Sequence, residues 1–172
     1  MKKIEINTKN LKIKNFTKKN INKKYLSWLN DKKLMKYSEQ RFQKHTYKSC
    51  LSYYNYMKKS KNLFFAIYIK NFYLEHIGNL SIYFDTNNKL ADMSIMLGEK
   101  KIIGKGYGLE AWNAVLNKLL KLKKINKVTA GTMEQNMRMI RIMKKSKMKK
   151  IGYKKSVALF NKKYQNIIYY SK

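Results

Sequence analysis

The clearest candidate for a binding site is a cluster of three glycines in the segment of residues 103–112, IGKGYGLEAW. Gly104, Gly106 and Gly108 alternate with other residues, in a chain that has only seven glycines and no proline. A helical pattern follows them. In such a turn the backbone N–H groups can point together into a concave nest, with the positive end of the helix dipole behind them. With Lys105 as a cation at the rim, the segment predicts a site for a phosphate or pyrophosphate.

The spacing of these glycines excludes two common nucleotide-binding loops. A P-loop requires G-x-x-x-x-G-K-[ST], which the chain does not contain. The dinucleotide fingerprint G-x-G-x-x-G would require a glycine at the position of Leu109. The alternative is a tight turn that uses its glycines only for backbone geometry, but three alternating glycines in a glycine-poor chain favour the anion site.

Metal and disulfide chemistry have few candidate residues. Cys50 is the one cysteine, which excludes an intramolecular disulfide and a cysteine-built zinc site, and we expect a buried or idle thiol. His45 and His76 are the only histidines, and neither has a second ligand at metal-binding spacing. We therefore predict no metal site.

The net charge of +31 comes almost entirely from lysine, because arginine occurs only at Arg41, Arg138 and Arg141. Specific recognition of phosphates and bases favours the planar guanidinium of arginine. Abundant lysine, asparagine and isoleucine without proline is what A/T-rich codons produce. We therefore attribute the charge mainly to codon bias and expect nucleic acid to be an unlikely partner.

Length and hydropathy indicate one globular domain over residues 1–172. No apolar run approaches the roughly 18 residues that span a bilayer, so we expect no membrane insertion. The start of the chain lacks the apolar core of a signal peptide, and we expect a cytoplasmic protein.

Periodicity supplies the elements that would position the glycine turn. The predicted strands are LKIKNF (Leu11–Phe16), NLFFAIYI (Asn62–Ile69), HIGNLSIYF after a turn at Asn71, ADMSIML (Ala91–Leu97), KVTAGT, and a closing hairpin of YKKSVALF and YQNIIYY. The predicted helices begin at Thr17, at Thr46, after the glycine turn, and at Asn136, the last running to about Lys149. The order β-αα-βββ-α-β-α-ββ predicts an α+β fold with a mixed, mostly antiparallel sheet of about seven strands and about four helices.

Three segments in this order, ADMSIMLG, GKGYGLEA and KVTAGTMEQN, resemble the acetyl-CoA-binding core of the GNAT N-acetyltransferases. The resemblance covers essentially the whole chain. It is closest to the branch that includes enzymes acetylating ribosomal protein N-termini and amino sugars. It implies a sheet that splays at a bulge in the cofactor strand, with acetyl-CoA as cosubstrate and no metal.

The resemblance also implies a set of cofactor-binding residues. Exposed strand backbone for the pantetheine arm maps to Met96, Leu97 and Gly98. The pyrophosphate nest maps to Gly104, Lys105, Gly106, Tyr107, Gly108 and Leu109. Ile103 stands where the family places Gln or Arg, so the backbone amides must provide most of the hydrogen bonds to the pyrophosphate. Of the later N-x-x-S motif, Asn136 is kept and Met139 replaces the serine.

Acetyl transfer to an amine needs a group that accepts the amine's proton and a donor for the departing thiolate. Asp92 is our candidate base because it shares a strand face with Ser94 and Met96; Glu134 and Glu75 are alternatives. Tyr164 is our candidate acid, with Tyr107 as the alternative. The segment RFQKHT matches the acceptor-facing loop of the family, which implicates Arg41, Phe42 and His45 in substrate binding. Arg41 could there bind an acceptor phosphate, such as the diphosphate of a nucleotide sugar. Each of these side chains has a purely structural alternative, in the core, at a cap or on the surface.

The sequence thus predicts an acetyl-CoA-dependent N-acetyltransferase that transfers the acetyl group directly in a ternary complex. The acceptor would be a primary amine, either on an amino sugar nucleotide or at a protein N-terminus, and the protein a monomer or homodimer. A basic RNA- or ribosome-binding module on the same fold, with weak or no catalysis, is the alternative.

Overall fold

A computed structural model describes residues 4–70 and 74–172 of the chain. Its strands are β1 (Glu5–Asn7), β2 (Leu11–Asn15), β3 (Leu63–Ile69), β4 (His76–Asp85), β5 (Leu90–Leu97), β6 (Lys127–Met133), β7 (Lys149–Phe160) and β8 (Lys163–Ser171). Its α-helices are α1 (Lys23–Asn30), α2 (Tyr47–Lys59), α3 (Tyr107–Leu120) and α4 (Met137–Lys145). Short 3-10 turns occupy Lys18–Asn20, Glu39–Phe42 and Lys100–Ile102.

The described strands form one sheet with the order β1-β2-β3-β4-β5-β6-β8-β7. Side chains alternate between its two faces, and β3 shows the division. Phe65 joins a buried cluster with Trp112 of α3, while Phe64 joins another with Trp28 of α1. We call the side covered by α1 and α2 the front face and the side covered by α3 and α4 the back face.

The middle of the sheet divides where its one parallel pair, β5 and β6, comes apart. Their pairing starts at Leu90 with Lys127 and ends at Asp92 with Thr129. Beyond that point β5 continues only with β4, as far as residue 97, and β6 continues only with β8, as far as residue 133. The resulting wedge, which we call the split, lies between residues 93–97 of β5 and residues 130–133 of β6.

The predicted mixed, mostly antiparallel sheet with four flanking helices is confirmed. The described chain has eight strands, because the short β1, with a single apolar side chain, pairs with β2. The splay of the cofactor strand is also confirmed, but the β4–β5 register runs without interruption, so this strand has no bulge.

The last helix ends earlier than predicted, and one predicted turn falls outside the described residues. The helix expected to reach Lys149 stops at Lys145, because Lys147 adopts a left-handed φ of 59° and Lys149 already belongs to β7. The turn predicted at Asn71 lies outside the described residues. Within the described residues, no helix combines the length and apolar character needed to span a membrane.

Candidate functional site

The glycine turn joins the 3-10 turn Lys100–Ile102 to the start of α3. Gly104 and Gly106 have φ values of +83° and +81°, in the left-handed region that residues with a side chain rarely adopt. A methyl group at either position would meet no atom within 4 Å. The turn therefore requires glycine for its conformation and leaves open space over its backbone.

The start of α3 presents several unpaired N–H groups. The first amide that bonds back into the helix is that of Glu110, which donates to the Gly106 carbonyl at 3.0 Å. The amides of residues 106–109 have no hydrogen-bond partner in the described parts of the chain. Four free amides at the positive end of a 14-residue helix make this turn a candidate anion site, which we call the anion site.

The acidic residue in this first turn, Glu110, is directed away from the anion site. Its carboxylate accepts hydrogen bonds from the Thr8 hydroxyl at 2.6 Å and from the backbone and side chain of Asn10 at 2.8 and 2.9 Å. Burial opposes ionisation, but these hydrogen bonds outweigh it and lower the pKa of Glu110. The same bonds fix the start of α3 against the turn between β1 and β2.

The cations around the turn differ in availability. Lys100 forms an ion pair with Asp31 at 2.9 Å, and Lys101 forms one with Glu75 at 3.0 Å. Lys105 forms no ion pair with any described residue. Ile103 is 53% exposed at the rim. Lys105 is therefore the cation of this turn that is free to approach an anion.

Two further glycines of the region serve close packing. A methyl group at Gly108 would lie 3.0 Å from the Leu97 side chain and 3.3 Å from Ile142, so α3 approaches both β5 and α4 there. A methyl group at Gly98 would lie 1.9 Å from the ring of Trp28. These contacts place the anion site at the open end of the split.

The backbone of β5 offers hydrogen-bonding groups to the split. Gly98 donates to the Ile77 carbonyl at 2.9 Å, so the Gly98 amide faces β4. Because bonded positions alternate along an antiparallel pair, Met96 also directs its backbone to β4, while Leu97 and Ile95 direct theirs into the split. Of the three residues predicted to pair with a pantetheine arm, Leu97 has this orientation. Ile95 is an additional candidate that alternation along the strand could have identified.

Asp92 lies at the apex of the split, where β5 and β6 separate. Its carboxylate accepts a hydrogen bond from the Thr129 hydroxyl at 2.8 Å. The side chain remains exposed to solvent, yet the surrounding protein raises the pKa of Asp92 through desolvation, which the Thr129 hydrogen bond partly offsets. Ser94 follows on the same face, is exposed, and has no hydrogen-bond partner among the described side chains. Asp92 and Ser94 can therefore both interact with a substrate on the front face.

A group of hydroxyls beside this apex was not identified from the sequence. The Tyr53 hydroxyl of α2 shares hydrogen bonds with Ser81 at 3.0 Å and with Tyr83 at 2.6 Å. Burial raises the pKa of Tyr83. In the β4–β5 register Tyr83 stands opposite Asp92, and Ser81 opposite Ser94. The polar alternation of NLSIYF is the sequence signal for Ser81 and Tyr83, whereas Tyr53 is brought to them only by the packing of α2.

The other predicted proton donors and bases lie elsewhere or are engaged. Tyr164 is 67% exposed in the β7–β8 hairpin, opposite Leu159 and not in the split. Tyr107 is the first residue of α3 and packs on the back-face core. Glu134 accepts a hydrogen bond from Asn166 at 3.0 Å, and Glu75 pairs with Lys24 and Lys101. Asp92 is thus the predicted carboxylate at the apex.

Asn136 caps α4 with both ends of its side-chain amide. Its oxygen accepts from the Met139 amide at 3.3 Å, and its nitrogen donates to the Thr132 hydroxyl at 3.0 Å. A role of Asn136 toward a cofactor stays a prediction. Met139 packs partly buried against the back-face core.

The three predicted substrate-binding residues lie between α1 and α2. The His45 backbone exchanges two hydrogen bonds with the Asn30 side chain, and its ring Nε2 donates to the Gln40 carbonyl at 3.0 Å. The Arg41 guanidinium lies 4.2 Å from the ring centre of Phe42 and donates to the carbonyls of Ser38 and Leu159. Phe42 is 60% exposed. Of the three, Phe42 therefore has the most surface available for a substrate.

Comparison with known proteins adds to this geometry. A model of the GNAT acetyltransferase domain matches residues 10–149. No match is found among curated proteins.

Solved structures match over nearly the full length. A GNAT-family acetyltransferase from Bacillus anthracis is 21% identical, with a TM-score of 0.82 and 98% of each chain covered. RimL, a ribosomal L7/L12 alpha-N-protein acetyltransferase in complex with coenzyme A, is 14% identical, with a TM-score of 0.86 and 98% of this chain and 97% of that one covered. The spermidine N-acetyltransferase of Vibrio cholerae, in complex with coenzyme A and spermine, is 14% identical, with a TM-score of 0.84 and 96% of each chain covered. At these identities the likeness establishes a shared fold.

Proposed function

This chain belongs to the GNAT acetyltransferase family, and from that membership we propose that it transfers an acetyl group from acetyl-CoA directly to a primary amine. The observation that carries the proposal is the position of two backbone features at one end of the sheet. The free amides of residues 106–109 lie next to Leu97, where the open edge of β5 ends. A thioester with a pyrophosphate at one end and an extended amide-containing arm fits these two features together.

The negatively charged pyrophosphate would accept hydrogen bonds from the free amides at the start of α3, with the ammonium group of Lys105 at the rim. The pantetheine arm would form strand-like hydrogen bonds with the backbone of Leu97 and Ile95. The thioester would then point to the apex of the split, where Asp92 and Ser94 lie. All nest residues from Gly104 to Leu109, and Ile103 beside them, belong to this proposal.

Transfer is a substitution at the thioester carbonyl carbon. The amine nitrogen forms a bond to that carbon, and the carbon–sulfur bond breaks. Asp92 takes the proton that the amine loses, for which its carboxylate must be ionised. A free N–H of β5 stabilises the carbonyl oxygen as negative charge develops there. The departing thiolate accepts a hydrogen bond from Ser94 and is protonated from solvent.

For the acceptor, we propose a protein N-terminal amine before an amino sugar nucleotide. The expected contact with an acceptor phosphate was Arg41, but its guanidinium already donates to Ser38, Glu39 and Leu159 and its side chain is 12% exposed. RimL acts on a protein N-terminus. Spermidine, the substrate of another structural relative, is a polycation, and a chain of net charge +31 would repel it.

The test is a binding titration followed by a turnover panel. Acetyl-CoA and desulfo-CoA are titrated against the protein by calorimetry, and acetylation is then measured on N-terminal peptides, amino sugar nucleotides and polyamines. We expect micromolar to millimolar coenzyme binding and highest turnover on a peptide amine. Absence of coenzyme binding at millimolar concentration would overturn the enzyme, and salt-sensitive RNA binding in its place would support the alternative module. Turnover on amino sugar nucleotides alone would overturn the acceptor class.

A further inference from the structure

The β7–β8 hairpin reaches across to the segment between α1 and α2 through two contacts. Arg41 Nη2 donates to the Leu159 carbonyl at 2.5 Å, across 118 positions of sequence. Tyr37 stacks on Phe160 with ring centres 5.4 Å apart. We call residues 37–42 and the hairpin tip at residues 159–163, joined in this way, the arch.

We propose that Arg41 is a positioning residue that latches this arch over the front face of the split and thereby limits which acceptor amines can reach Asp92. The inference rests on the proposed function, because it assigns the front face to the acceptor.

The first end of the arch is fixed beside the end of β5. The segment follows α1, which packs on the front face through Trp28. Trp28 covers Gly98, the residue after β5, and Asp31 at the end of α1 pairs with Lys100 at 2.9 Å. The segment therefore starts at the β5 side of the split.

The second end of the arch belongs to the β6 side. β6 pairs with β8 from Thr129 opposite Ser171 to Met133 opposite Ile167, where the pairing stops. Residues 163–166 of β8 and their partners in β7 thus extend beyond the end of β6. A contact between the hairpin tip and residues 37–42 must consequently cross from the β6 side to the β5 side, over the wide end of the split.

Arginine is suited to this latch by its geometry. Nη1 donates to the Ser38 carbonyl at 2.6 Å and to Glu39 at 3.1 Å, while Nη2 reaches Leu159. The planar group presents both nitrogens in fixed directions, and stacking on Phe42 restricts it further. Lysine at this position would have a single nitrogen and could not hold the segment and the hairpin in the same way.

The hairpin depends on this latch because its base and its tip are held differently. The base of the part that extends beyond β6 is at Gln165 and Asn166, which are tied to the residues after β6 by hydrogen bonds with Gln135 and Glu134. Beyond them the tip turns at Asn161 and Lys162, which both have positive φ. In the described structure the tip is joined to the α1–α2 segment by the hydrogen bond from Arg41 and by the stacking of Tyr37 on Phe160. Loss of Arg41 should therefore free the tip while leaving the base in place.

Access to the apex can be measured without any substrate by placing a thiol at Ser94. The variant Ser94→Cys is labelled with N-ethylmaleimide and with a fluorescein maleimide, with and without Arg41→Ala. The native Cys50 is buried, and its slow background is measured in the chain that retains Ser94. We expect Arg41→Ala to raise the labelling rate with the bulky reagent about tenfold and with the small reagent less than about twofold, because local opening admits larger groups.

Matched variants separate the latch from general loosening. Lys44→Ala removes an exposed cation of the same segment and should change neither rate. Arg41→Lys should behave like Arg41→Ala, and Tyr37→Leu should give a smaller rise in the bulky-reagent rate. Equal rates with and without Arg41, or equal acceleration of both reagents, would overturn the latch. A thiol at position 94 that does not react with N-ethylmaleimide would overturn the placement of Ser94 on an accessible face.

Labelling requires neither coenzyme nor acceptor, so failure of the latch and failure of the acetyltransferase proposal are distinguishable. If the latch holds and the protein is an acetyltransferase, Arg41→Ala should leave acetyl-CoA affinity unchanged. It should also lower the ratio of kcat/KM for a slender peptide amine to that for a bulky branched amine. An unchanged ratio in an active enzyme would overturn the role of the arch in acceptor choice.

Discussion

The Asp92 carboxylate accepts a hydrogen bond from the Thr129 hydroxyl at 2.8 Å, across the last residue pair before β5 and β6 separate. The carboxylate is thus fixed at the point to which the open backbone of β5 leads. Desolvation raises the pKa of Asp92, and the Thr129 hydrogen bond counteracts it by favouring the ionised form. The position and the titration of this group are therefore set by the same local structure.

For catalysis, a base with a raised pKa predicts an acid limb in the pH–rate profile. Asp92→Asn should lower kcat on the order of 100-fold at unchanged acetyl-CoA affinity. Thr129→Val removes the hydrogen bond that lowers the pKa, so the acid limb should move to higher pH. Both are measured as kcat/KM between pH 5 and pH 9, with Thr129→Ser as the control that keeps the hydroxyl. An acid limb that stays in place in Thr129→Val would exclude Asp92 as the base.

Asp92→Asn should raise the stability of the fold although it lowers the activity. A carboxyl whose pKa is raised on folding favours the folded state below its unfolded pKa, and this contribution is lost as pH rises through the folded value. At neutral pH the ionised Asp92 therefore destabilises the fold, and Asp92→Asn should raise Tm. The difference in Tm should shrink at pH values approaching the ordinary aspartate range, near about 4. A neutral-pH Tm below that of the parent would contradict this reading of the desolvation.

Ile103 allows the proposed anion site to be tested in both directions. Its side chain is exposed at the rim of the glycine turn, so substitution should not disturb the core. Ile103→Arg should tighten coenzyme A binding and Ile103→Glu should weaken it, each by roughly threefold to tenfold at low salt. Both effects should decline as salt screens the charges.

The control for charge alone is Asn117→Glu, an exposed position near the other end of α3. It makes the same change in net charge as Ile103→Glu but lies about 15 Å further along the helix. Calorimetric titration with coenzyme A compares the three variants. Equal weakening by Asn117→Glu would mean that net charge, and not the α3 amides, governs binding.

We expect the backbone conformation of Gly106 to matter for the stability of the fold, even in the absence of coenzyme. Its φ of +81° disfavours any residue with a side chain, although the space beyond it is open. Gly106→Ala should lower the free energy of unfolding by about 1 kcal/mol, and Gly106→Asn by less, because asparagine tolerates this region. Urea unfolding measures the difference. Equal losses for the two variants would indicate that strain at this φ is not the cause.

The sequence identified features that depend on neighbouring residues and missed those that join distant ones. The glycine turn, the start of α3 and the cap at Asn136 arise within a few positions, so their residue types reveal them. The engagement of Arg41 with Leu159 and that of Tyr53 with Ser81 depend on how whole elements pack. Arg41 in particular looked like a free phosphate ligand from sequence, because nothing nearby indicates that a hairpin carbonyl 118 positions away occupies it.

The contact between Trp28 and Gly98 should couple α1 to the end of β5. A methyl group at residue 98 would lie 1.9 Å from the indole ring, so Gly98→Ala must displace Trp28 or the strand end. We expect a loss on the order of 3 kcal/mol in the free energy of unfolding. Trp28→Leu removes the indole ring that a methyl group at residue 98 would meet, so in the double variant Gly98→Ala should cost much less.

This double-mutant cycle distinguishes overpacking from other effects of the two substitutions. If the double variant loses much less free energy of unfolding than the sum of the two single variants, the steric contact is the cause. Losses that simply add would show that Gly98 is required for another reason. Because Gly98 follows Leu97 directly, the single variant Gly98→Ala should also weaken coenzyme A binding by shifting the open edge of β5. Restored binding in the double variant would show that α1 sets the position of that edge, and unaltered binding in Gly98→Ala would contradict the assignment of Leu97 to the coenzyme.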